Sequence, residues 1–125
     1  MEKISSFKDL IAWKEGHKLA VTIYEITKAF PKEEIFGLTN QIRRAAVSVT
    51  SNIAEGFSRN SSKEKIQFYS IALGSLSEVQ SQILIAKDIG YLAGERYDSI
   101  SQLTITVSKL LNGLARSAQS HPHNT

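Results

Sequence analysis

The residues best placed to do chemistry lie between Gln41 and Gly56. Arg44, Ser48, Ser51 and Glu55 follow one another at 4-3-4 spacing, so on a helix they share one face. Serine, threonine and asparagine are mediocre helix formers, and their density here points to tight contact with other helices or with a partner. Arg44 and Glu55 are about 16 Å apart along a helix, too far to pair within it. Glu55 can pair with Arg59 four residues on, or with Arg44 across a subunit boundary. This stripe is therefore read as either an oligomer interface or a solvated face closed by a helix-end ion pair. Eight cations are candidates for contact with nucleic-acid phosphates: Lys8, Lys14, Lys18, Arg43, Arg44, Arg59, Lys63 and Lys65. The competing reading is that they only solvate the surface.

Other chemistries find little support. No cysteine is present, so disulfides, thiolate nucleophiles and cysteine zinc sites are excluded. His17 has no Glu three residues before it, and neither does His121 or His123, so the Glu-x-x-His pairs of di-iron bundles are missing. His17 reads as a boundary or core histidine, and the 121/123 pair as part of a floppy tail. Gly74-Ser75 falls inside a helical pattern, where glycine costs about 1 kcal/mol against alanine. Its expected role is close helix packing. Glu55 and Glu78 are the carboxylates inside the two central helices, a weak basis for a catalytic dyad. No enzyme activity, cofactor or metal is expected.

Four helical segments must position these residues. In the first, Phe7 to Phe30, Ala12, Gly16, Leu19, Ile23, Ile26 and Phe30 form an apolar stripe, and Pro31 ends it. The second, Leu38 to Phe57, carries Leu38, Ile42, Ala45, Val49 and Ile53. The third starts at a capping box, Ser61 with Glu64, and carries Tyr69, Ala72, Leu76, Val79, Ile83 and Ala86 before Gly90 stops it. The fourth, Glu95 to Ala118, carries Ile100, Leu103, Val107, Leu110 and Leu114. Short loops between helices of this length predict an all-α, antiparallel up-down-up-down four-helix bundle over residues 1–118. Residues 119–125 are expected to be a disordered tail.

Apolar residues exceed what one bundle needs. Ile11, Ile71, Ile85, Ile89 and Ile105 lie off the stripes. Several on adjacent helices predict a second buried face and hence a homo-oligomer. Ile71, Ile85 and Ile89 join Arg44, Ser48, Ser51 and Glu55 as interface candidates.

The 125 residues suit one domain, and 42% hydrophobic with 22% charged residues is ordinary for a folded chain. No apolar run approaches the roughly 18 residues of a membrane span, and no signal-peptide core is present, so a cytoplasmic protein away from membranes is expected. Net charge is +3. Residues 1–65 hold 11 Lys/Arg against 8 Asp/Glu, and residues 66–125 hold 4 against 4. The basic excess is thus confined to the first half.

The run from Gln41 to Ala46, then Ser48, then Asn52 to Gly56, resembles the signature of a bacterial four-helix-bundle family encoded in intervening sequences of 23S rRNA genes. Trp13, Phe30-Pro31, Phe36-Gly37-Leu38 and Ala72 to Leu76 with Glu78 extend the resemblance over about residues 5–115. It implies a ring-shaped homopentamer of largely unassigned role. It also implies a nucleic-acid-associated accessory function, since a similar protein is the accessory subunit of a reverse transcriptase in diversity-generating retroelements. RNA or DNA and a reverse transcriptase are the partners so implied. The alternative is a structural or protein-interaction scaffold that binds no nucleic acid.

Overall fold

The computed structural model describes residues 3–120. A short 3-10 turn, Phe7–Asp9, leads into α1 (Ile11–Thr27), and a second, Lys32–Glu34, leads into α2 (Leu38–Ser58). Helices α3 (Ser62–Asp88) and α4 (Gly94–Ser120) follow. No strand occurs among the described residues. Each helix packs on its neighbours in the chain, α1 closes against α4, and the α2–α3 interface is the most extensive. Helices joined by such short loops run antiparallel. One end of the bundle therefore gathers the starts of α1 and α3 with the finishes of α2 and α4.

The periodic stripes become the core. On α1, Leu19 and Ile23 have no exposed surface. Ile42, Val49 and Ile53 do the same on α2, and all six expected residues of α3 are buried. The fourth helix departs from expectation. Leu103, Leu110 and Leu114 are only partly buried, and the inner seam is Ile100, Thr104, Val107 and Leu111. Thr104 is tolerated inside because its hydroxyl donates to the Ser101 carbonyl (2.6 Å) and accepts from Gln80 Nε2 (3.1 Å).

The ends also differ in detail. The first long segment is an α-helix only over 17 residues, since its N-terminal part forms the separate 3-10 turn and Lys28 to Phe30 close it with backbone bonds to the residue three before each. Ser61 caps α3 by accepting from the Glu64 amide (3.1 Å), which is half of the expected capping box. The complete box sits earlier, where Ser6 and Asp9 cap the first 3-10 turn. Gly90 takes φ +88° and ends α3, as its position predicted. Helix α4 continues through Ser120, so the last two of its residues replace the start of the expected tail. Residues 121–125, with His121 and His123, lie outside the described residues.

Asp9 accepts from the Ser5 and Ser6 amides (3.0 and 3.1 Å), and these bonds lower its pKa. A lowered folded-state value means stability present above the unfolded pKa and lost as pH falls through the folded one. An NMR titration of the Ser5 and Ser6 amides should give a midpoint below the ordinary aspartate value of about 3.9.

Candidate nucleic-acid interface

Antiparallel packing sorts the charges along the bundle axis. The half of the bundle at the end formed by the start of α1, with its flanking turns and N-terminal segment, carries nine lysines and arginines and four acids, counted over residues 3–120. The opposite half carries six and seven. Six of the eight candidate cations fall at the basic end: Lys8, Lys14, Lys18, Arg59, Lys63 and Lys65. Arg43 and Arg44 fall at the other.

Position alone does not make a cation available. Arg59 Nη2 bonds Glu55 Oε2 at 2.6 Å, and its guanidinium lies 4.7 Å from the Phe68 ring centre. The Glu55 carboxylate, an interface candidate, is thus used within the chain by the i,i+4 pairing that the spacing allowed. Both partners are half-exposed, so the pair contributes little to stability. Lys65 Nζ donates to the Phe57 and Gly56 carbonyls (2.8 and 3.3 Å) and so closes the C-terminus of α2. Loss of water around it lowers its pKa. Arg43 Nε donates to Thr27 Oγ1 (2.8 Å) and its guanidinium lies over Tyr24, tying α2 to α1.

The side chains of Lys8, Lys18 and Lys63 are exposed and make no hydrogen bond or ion pair among the described residues. Lys14 is exposed beside Asp9. Lys3 and Arg116, not among the candidates, are exposed at the same end. Their separation in the sequence hides this clustering.

Arg44 occupies a different setting. It is exposed on α2 and lines a groove of about 380 Å³ with Gln41, Ser48, Glu78 and Gln82. A second depression beside it is lined by Tyr24, Val47 and Ser51. Arg44 has no ion-pair partner among the described residues. Ser51 is exposed. Ser48 instead turns toward α3, where its hydroxyl lies 2.7 Å from that of Ser75. Asn52 Nδ2 donates to the Ser48 carbonyl and hydroxyl (2.8 and 3.1 Å). Ser75 is 7% exposed, and no sequence signal distinguished it from solvent-facing serines. Ser48→Ala should cost about 1–2 kcal/mol, because it leaves the Ser75 hydroxyl without this partner. Denaturant unfolding of Ser48→Ala, Ser75→Ala and the double variant should show non-additive losses.

The off-stripe isoleucines remain on the surface of the chain: Ile71 is 45% exposed, Ile85 47% and Ile89 52%. Gly74, expected to mediate close packing, is exposed with open space where a side chain would stand. That role belongs to Gly56, where an added Cβ would fall 2.6 Å from the Tyr69 ring. His17 is exposed and stacks on Trp13 with ring centres 4.8 Å apart, so it is not a core residue. Among the described residues no cluster of His, Cys, Asp and Glu could hold a metal. No described helix is long and apolar enough to cross a membrane.

The architecture defines an antiparallel four-helix bundle with a basic end, in the class of small all-α modules. The chain belongs to the 23S rRNA-intervening sequence protein family, which it matches over residues 8–113. Its fold is similar to that of a protein of unknown function from the S23 ribosomal protein family of Bacteroides thetaiotaomicron VPI-5482. The two share 24% identity and a TM-score of 0.78, covering 84% of this chain and 98% of the other. No curated protein matches the chain.

Proposed function

We propose that the chain is a non-enzymatic, self-associating module that contacts the phosphate backbone of RNA or DNA through the basic end of its bundle. The observation that carries this reading is the axial sorting of charge, nine cations against four acids at one end and six against seven at the other. Lys8, Lys14, Lys18 and Lys63 are the contacts of choice. Arg43, Arg59 and Lys65 serve the chain itself and contribute field rather than contact. Exposed lysines suit phosphate contact that fixes position without reading sequence. A ring of identical subunits, the pentamer implied by the family resemblance, would repeat this end and add avidity. A reverse transcriptase is one class of partner for such an accessory module.

The exposed isoleucines support the second reading, a scaffold that assembles without nucleic acid. One experiment separates the two. Binding of the full chain to a structured RNA and to duplex DNA is measured at about 50 and 200 mM salt. Affinity should fall steeply with salt as counterions are released. Absence of binding at the lower salt would overturn the nucleic-acid reading and leave the scaffold. Sedimentation of the same sample tests self-association, and a monomer would remove the avidity argument.

A further inference from the structure

Below the basic surface, at the same end of the bundle, a cavity of about 180 Å³ opens between the finish of α4 and the start of α3. One side is apolar, made by Leu10, Phe57 and Leu114. The other is made by Ser62, Lys65 and Tyr69, which share one face of α3 at 3-4 spacing. All three bring hydrogen-bonding capacity that the chain leaves unused. The Tyr69 residue is only 3% exposed, and its hydroxyl makes no hydrogen bond among the described residues and meets the open space of the cavity. The Ser62 hydroxyl is buried and unpartnered. Lys65 donates to the Gly56 and Phe57 carbonyls, and an ammonium has three N–H donors, so one is left.

Buried polar groups in native proteins are almost always partnered, so the unpartnered Ser62 hydroxyl needs an explanation, and Lys65 and Tyr69 place further donors beside it. The chemistry on offer is one cationic donor and two hydroxyls on one wall, with an apolar surface facing them. No carboxylate lines the cavity to satisfy the cation. Its size matches about six waters, enough for a small organic molecule. A phosphate dianion would fill the polar wall and leave the apolar one against charge. A neutral hydrocarbon would leave the donors unmet. We propose that this cavity binds a small organic monocarboxylate, with the carboxylate held by Lys65, Tyr69 and Ser62 and the apolar body against Leu10, Phe57 and Leu114. The lowered pKa of Lys65 is consistent with an ammonium that has lost water without gaining a counter-anion. This site does not depend on nucleic-acid binding, which engages the exposed lysines outside it.

Benzoate is a suitable probe, with benzamide as its neutral counterpart and inorganic phosphate as the anion without an apolar body. The full chain is titrated with each and followed by NMR. Benzoate should give saturable shifts centred on Tyr69, Phe57 and Leu114, and benzamide should bind at least tenfold more weakly, as loss of charge assistance at a partly buried cation requires. Tyr69→Phe keeps the ring and removes the donor, and it should weaken benzoate about fivefold at unchanged melting temperature. Lys65→Met should abolish binding. Because Lys65 also closes α2, Tyr69→Phe is the deciding variant if the Met variant unfolds. Three results would each overturn the proposal: no saturable benzoate shifts, benzamide binding as tightly as benzoate, or Tyr69→Phe binding like the parent. Phosphate shifting the same residues with equal affinity would overturn the choice of a carboxylate.

Discussion

Gly56→Ala should destabilise the bundle by up to about 2 kcal/mol, although alanine is the better helix former. An added Cβ would lie 2.6 and 2.9 Å from two carbons of the Tyr69 ring and 3.2 Å from Phe68 Cβ. Tyr69 is buried, so its ring must be displaced from its packed position to admit the added carbon. Helices α2 and α3 must therefore separate where they turn back on each other. Overpacking costs about 1–3 kcal/mol and occasionally more, while replacing a helical glycine returns about 1. Packing wins. Gly74→Ala provides the opposite case. It too lies inside a helix, but nothing stands within 4 Å of the added carbon. It should stabilise the single chain by about 1 kcal/mol. Thermal unfolding checks both, and a shift of up to about 10 °C is expected for Gly56→Ala. If Gly74→Ala stabilises the fold but weakens self-association, the open face of α3 lies in the subunit contact.

Those two glycines show where sequence reading stops. Both occur in helical patterns, and spacing alone pointed to Gly74 for close packing, whereas within the chain Gly56 holds that role. What separates them is the neighbour that the fold supplies, a tyrosine ring for Gly56 and open space for Gly74. The stripes of α1, α2 and α3 were legible because their apolar residues repeat at the helical period without interruption. In α4 the repeat is ambiguous. Leu110 and Leu111 are adjacent, and the inner position next to Leu103 is a threonine. A buried threonine is recognisable only once Gln80 and the Ser101 carbonyl are seen to satisfy it.

The candidate surface was legible as a list of residues and not as a place. Lys63 and Lys65 look alike in sequence, yet Lys63 is exposed while Lys65 closes α2. Arg43 and Arg44 are neighbours, yet one bonds Thr27 and the other lines an open groove. A helix turns by about 100° per residue, so adjacent cations meet different surroundings. Conversely, Lys8, Lys63 and Arg116 are far apart in the chain and share one end of the bundle. Only the antiparallel topology brings them there.

Reversing three charges at that end, Lys14→Glu, Lys18→Glu and Lys63→Glu, should weaken nucleic-acid binding about 100-fold at 50 mM salt. It should also flatten the salt dependence, since each phosphate contact contributes about 0.9 to the log–log slope. All three side chains are exposed and none is used in the core, so the fold should survive. Net charge alone could produce some of this loss, because a more acidic protein is repelled by any polyanion. The control is the same reversal at the other end, Lys28→Glu, Lys32→Glu and Arg96→Glu, at residues that are likewise exposed. Each triple variant changes the charge by six units, from +3 to −3. Net charge is therefore matched, and only placement differs. If the basic end is the contact surface, the first variant loses far more affinity and slope than the second. Equal losses would mean that binding follows net charge, and the axial sorting of charge would then carry no function.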